Sequence, residues 1–188
     1  MRHLHSTFAA YSKNSNNMNP ITNNQFLAAM LEEAAWKEVS SKEGWTMEAL
    51  EKYQDKVDWK EISSNSDVMW TVDGISKFMG KIKWEEFSRN CPEYLLTEDN
   101  LLRFKGNWNW SQLSRRSELY NNWALLDMVT DLVDWKEIIT NWDIKFPIQF
   151  FKRYEKFIPM SQFQDSSLWD DFVRAMRDNL KGTIAGIN

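Results

Sequence analysis

Apolar side chains recur at steps of three and four residues along most of this chain, and one pattern of positions returns six times. Leu27, Leu50, Ile75, Leu101, Leu126 and Phe151 open it, followed three residues later by Met30, Tyr53, Phe78, Phe104, Val129 and Tyr154. Four residues further on come Ala34, Val57, Ile82, Trp108, Val133 and Ile158. Two beyond these stands an anchor: Trp36, Trp59, Trp84, Trp110, Trp135 or Met160. Val39, Ile62, Phe87, Leu113, Ile138 and Phe163 follow three after the anchor. Such steps put side chains on one stripe of a helix, and the period of two that a strand needs is absent. The anchors are spaced by 23, 25, 26, 25 and 25 residues. A fixed period in the twenties predicts stacked units of short helices.

Each unit predicts two helices. Asn23, Thr46, Thr71, Thr97 and Asn122, each 13 residues before an anchor, suit the N-cap of the first, because their side-chain oxygens accept unpaired backbone N–H groups. Asp58, Asn109 and Asp134 suit the N-cap of the second, with the anchor at its first position. Asn65, Asn90 and Asn141 stand where a left-handed residue would end it. Ser40, Ser63, Ser88 and Ser114, each four after an anchor, are expected to bond the carbonyl four residues earlier. A longer helix, Ser166–Lys181, is expected to close the stack with Leu168, Phe172, Met176 and Leu180 inward. The fold class is therefore all-α, a solenoid-like stack of helix pairs with a C-terminal capping helix. It divides into a flexible arm (1–22), one helical repeat domain (23–181) and a frayed end (182–188).

Composition narrows the picture. Eleven Trp and 11 Phe against 6 Gly and 4 Pro fit helices joined by short turns, and five of the Trp are anchors. With 23 Lys+Arg against 27 Asp+Glu the formal charge is -4, which argues against a surface that coats a polyanion wholesale. Cys91 is the sole cysteine, so no intrachain disulfide or cysteine metal cage can form, and a reducing, cytoplasmic setting is expected. No apolar run is long enough to span a membrane.

The stretches Asp58-Trp59-Lys60-Glu61-Ile62-Ser63 and Leu96-Thr97-Glu98-Asp99-Asn100-Leu101-Leu102-Arg103-Phe104 show the two halves of the unit. Together they resemble the short Trp-containing helical repeats of uncharacterised giant-virus, bacterial and phage proteins. The resemblance covers about residues 23–165 and departs most in the last two units. It implies an interaction scaffold and carries no catalytic residue across.

Chemistry is sparse. His3 and His5, the only histidines, lie in the N-terminal arm, and two ligands on such a segment make a weak metal site. No phosphate-binding glycine loop is present. Cys91, between Asn90 and Pro92, lacks a His partner. The expectation is a protein that is not an enzyme and uses no cofactor, metal or small-molecule substrate. It would occlude or scaffold a protein or ribonucleoprotein partner, in its narrowest form as an anti-CRISPR-like inhibitor from a phage or mobile element. The alternatives are a virion structural or assembly component and a single-stranded RNA binder. The RNA reading rests on Asn65, Arg89-Asn90, Arg115-Arg116 and Asn141 at the ends of the second helices. Around Trp108-Asn109-Trp110 the usual acids give way to Ser111-Gln112, so Arg103, Lys105, Arg115 and Arg116, with Arg89, are expected to form one partner-facing patch.

Overall fold

The computed structural model describes residues 25–186. The arm at 1–22, with His3 and His5, and the cap expected at Asn23 lie outside them. The described residues are helical throughout, with no strand. In order the helices are α1 (Gln25–Lys42), α2 (Met47–Tyr53), α3 (Trp59–Ser64), α4 (Val72–Phe78), α5 (Trp84–Asn90) and α6 (Glu98–Arg103). Then follow α7 (Trp110–Leu113), α8 (Ser117–Tyr120), α9 (Trp123–Met128), α10 (Trp135–Ile139), α11 (Pro147–Tyr154), α12 (Met160–Phe163) and α13 (Ser167–Ala185). Short 3-10 turns at Glu93–Leu95 and Glu155–Phe157 fill two of the connections. No described helix is long and apolar enough to cross a membrane.

The caps form as their chemistry dictates. The Thr46, Thr71 and Thr97 hydroxyls accept the N–H three residues on, and so does the Asn122 side chain. Asp58 and Asp134 each accept two first-turn amides, and Asn109 accepts one. In the first unit the break before the anchor does not occur, and α1 runs straight through Trp36. Ala34-Ala35 stands where later units have a β-branched or aromatic residue and a cap, and alanine is the best helix former.

Such short helices are marginal alone and must be held by tertiary packing. Here α1 packs on α3, α3 on α5 and α5 on α7. Two hydrogen-bond devices recur. The anchor indole N–H donates to the carbonyl five residues earlier, joining Trp59 to Gln54, Trp84 to Met79, Trp110 to Lys105 and Trp135 to Thr130 at 2.8–3.0 Å. Each bond satisfies an orphan carbonyl near the end of the preceding helix. The second device is the serine four after the anchor. Ser40, Ser63 and Ser114 donate to the anchor's carbonyl at 2.6 Å, as expected. They also accept the backbone N–H of the residue just before the next anchor, as Ser88 does: Asp58, Lys83, Asn109 and Asp134 at 2.8–3.0 Å. Where the next serine would stand there is Ile139, buried, and the residue before Met160 is Pro159, which has no N–H to give.

The anchor rings lean on the following helix: Trp36 on Tyr53, Trp59 on Phe78, Trp84 on Phe104 and Trp135 on Tyr154, with centroids 5.0–5.8 Å apart. Large indoles at these positions suggest burial between helices for Trp59, Trp84, Trp110 and Trp135, yet only Trp135 is buried. Trp36, Trp59, Trp84 and Trp110 are half-buried, and Met160 is exposed. The rings lie along the edge where successive helices meet, with one rim in solvent, while the deepest positions belong to Leu50, Ile62, Ile75, Phe87, Leu113 and Ile138. Trp108 is buried as a larger core residue, its indole N–H on the Asn100 carbonyl.

A further inward position went unread in the sequence because its spacing varies. Nine to eleven residues after successive anchors stand Trp45, Trp70, Leu95, Leu119-Tyr120 and Ile144, all buried. They hold the connections down and account for two of the non-anchor tryptophans.

Three expectations need correction. Asn65 does not end its helix in the left-handed region. It is extended and buried, and its amide donates to the Ser40 and Glu43 carbonyls at 2.9 Å, tying one unit to the one before. Asn90 and Asn141 turn their amides onto the Glu86 and Glu137 carbonyls. In α1, Met30 and Ala34 are exposed because no described helix pair precedes the first unit. In α13, Leu168 is buried and Phe172 half-buried, but Met176 and Leu180 are exposed. That helix runs to Ala185.

Candidate partner-binding site

The ends of α5 and α7, the start of α8 and the segment after α10 surround an open recess of about 370 Å³. Arg89, Arg115 and Arg116 line it, with Asn141, Trp142 and Asp143 opposite. Arg103 and Lys105 do not. They lie at the end of a first helix, whereas Arg89 stands in the last turn of α5 and Arg115 and Arg116 follow α7.

Each arginine has a distinct environment. Arg115 is exposed and makes a two-pronged pair with Glu137, at 2.9 and 3.0 Å. Arg89 is exposed beside Glu85 and Glu86 at 3.6 and 3.5 Å, and its Nε donates to Gln112 at 3.1 Å. Arg116, expected to be partner-facing, keeps only 11% of its side chain exposed. Its guanidinium donates to the Cys91 carbonyl and thiol and to Glu118. It closes a connection and is part of the fold. The hydrogen bond from Arg116 holds the Glu118 carboxyl below its ordinary value, and burial pushes the Cys91 thiol up to about 11. A thiol so protonated at neutral pH is a poor nucleophile.

Arg103 and Lys105 are exposed and make no ion pair among the described residues. The reason for Arg103 lies one unit back. Lys77 and Arg153, at the same offset from their anchors, pair with Glu51 and Asp127, each eight residues before the preceding anchor. The corresponding residue for Arg103 is Ser76.

The residues opposite the arginines escaped the sequence reading. Trp142 is 85% exposed and Phe146 66%. Asn141–Phe146 is nevertheless well braced. The Tyr120 hydroxyl donates to the Asp143 carboxylate, and the Asn121 amide donates to the Asp143 carbonyl at 3.1 Å. The Lys145 N–H donates back to Asn121 at 2.8 Å, and Ile144 is buried beneath. Burial first, and the Asp143 carboxylate second, keep the Tyr120 phenol protonated well past its usual range, so this donor persists at any physiological pH. Phe146 has φ 55°, the one positive φ of a non-glycine residue among those described. A bulky side chain there costs about 1–3 kcal/mol, and such strain gathers at functional sites. A signal did exist: seven residues after earlier anchors stand Glu43, Ser66, Cys91 and Ser117, and Trp142 breaks that series with a large ring.

Among the described residues no group of three or more His, Cys, Asp or Glu could hold a metal ion. The recess offers a fixed aromatic face, two solvent-facing guanidiniums already bound to carboxylates, and side-chain amides spent on backbone carbonyls. Comparisons of the sequence with family models and with curated proteins, and of the fold with solved structures, return no match.

Proposed function

We propose that this chain is a non-catalytic helical-repeat protein, a solenoid-like stack of short helix pairs, that holds a protein partner at the recess between Trp142 and Arg115. One observation carries the reading: a tryptophan almost fully in water on a segment locked by three cross-unit hydrogen bonds. Exposing an indole works against the hydrophobic effect, and a rigid aromatic beside arginine is the usual composition of a binding hot spot. The recurring serine and indole bonds support the stacked arrangement. In its narrowest form the partner is a host defence machine occluded by a phage or mobile-element inhibitor, a form that rests on the repeat resemblance alone.

A protein partner is favoured over single-stranded RNA because Arg89, Arg115 and Arg116 each already have a carboxylate, on a chain of net charge -4. Affinity capture from native cells, with and without nuclease, tests this. Trp142→Ala and Arg115→Glu should each reduce the captured partner by tenfold or more, roughly the loss of one hot-spot residue, with an unchanged helical spectrum. Nuclease should have no effect. Capture that needs intact RNA, or that survives both substitutions, overturns the proposal.

A further inference from the structure

Beyond Trp142 a second surface lacks a cover. In α13 only Leu168 is buried, with Phe172 half-buried, and every described residue from Val173 to Gly186 is exposed. At 1.5 Å per residue this part of the helix extends about 20 Å past its own packing. It is not a polar extension. Val173, Met176, Leu180 and Ile184 are 48–64% exposed. Their steps of three, four and four residues gather them into one stripe, which continues the row of Leu168 and Phe172 past the packed end of the helix. A sustained stripe of this spacing is the seam of a helix-to-helix contact.

We propose that the distal part of α13 pairs antiparallel with the same helix of a second copy, across Val173, Met176 and Leu180. The charges beside the stripe single out that occupant. Asp170 and Arg177 lie one heptad apart on the same flank. An antiparallel two-fold that sets Val173 of one copy against Met176 of the other brings Asp170 beside Arg177 twice over, once at each end. Parallel pairing would put Arg177 against Phe172 or Asn179 and match no carboxylate. Asp170 has no ion pair among the described residues, and Arg177 bonds only its neighbour Asp178, at 3.2 Å between exposed groups. Both are therefore available for the contact. The interface is isologous and closes as a dimer.

Sedimentation of the full chain, from low micromolar to submillimolar concentration, should show a reversible shift from the 22.4 kDa monomer to twice that mass. Leu180→Glu should give monomer throughout, with no change in melting temperature, because Leu180 is already in water. Asp170→Arg and Arg177→Asp should each weaken self-association by about tenfold or more through like-charge contacts, and mixing the two variants should restore the dimer as a heterodimer. A wild-type chain that stays monomeric at every concentration overturns the proposal. So does a dimer indifferent to Leu180→Glu, or a mixture of two folded charge variants that fails to associate.

Discussion

A serine hydroxyl can donate one hydrogen bond and accept two, and Ser63 does both jobs without exposing itself. It gives its proton to the Trp59 carbonyl and takes the Lys83 N–H from the next unit. Half of this was readable in the sequence, since a serine in a helix commonly bonds the carbonyl four back. The other half was not, because the amide it accepts lies 20 residues away and leaves no mark on the residue that owns it. Ser63→Ala should leave that amide unpaired and cost about 1–3 kcal/mol in urea denaturation. The reverse substitution, Ile139→Ser, should gain nothing, because Pro159 has no N–H to offer. It should instead lose stability, by about 1 kcal/mol or more, as a buried aliphatic side chain is removed.

Among the elements, the short second helices and the anchors that begin them show how far periodicity reaches. The caps at Thr46, Thr71, Thr97, Asp58 and Asp134 were legible because capping is local chemistry. The depth of the anchors was not, because the period gives the face of a helix and not its distance from solvent. Trp135 has Phe150, Tyr154 and Phe157 around its ring and is buried. Met160 occupies the same place in the last unit and is exposed. Trp135→Ala should therefore cost about 3–5 kcal/mol, and Met160→Ala less than about 1 kcal/mol, by thermal or chemical denaturation. Equal losses at the two positions would contradict the packing described. The candidate site was half legible on the same grounds. Arg89 and Arg115 stood out as exposed cations at helix ends, whereas Arg116 looked alike in sequence and proved to close a connection onto Cys91. Trp142 left one signal, a large ring in a series of small or polar residues, but its exposure was not legible in the sequence.

For the whole molecule, the proposed stack of units predicts that the serine-to-amide bonds make the units interchangeable in one direction. Excision of residues 60–84 would join Trp59 to Glu85 and leave the remaining junctions chemically intact. Ser40 would still receive the Asp58 amide, and Ser88 the Asn109 amide. The Trp59 ring would meet Phe104 in place of Phe78, one phenyl exchanged for another. Arg103, which has Ser76 at the corresponding place one unit back, would find Glu51 there instead. The shortened protein should fold with a cooperative melt at reduced temperature, as a sum of fewer units requires. The same cut made between Trp135 and Met160 would remove the segment that carries Trp142. On the proposed stack, growth or loss by whole modules is expected to be open to the first four units and closed at the fifth, where proline ends the series of donors and the exposed indole begins.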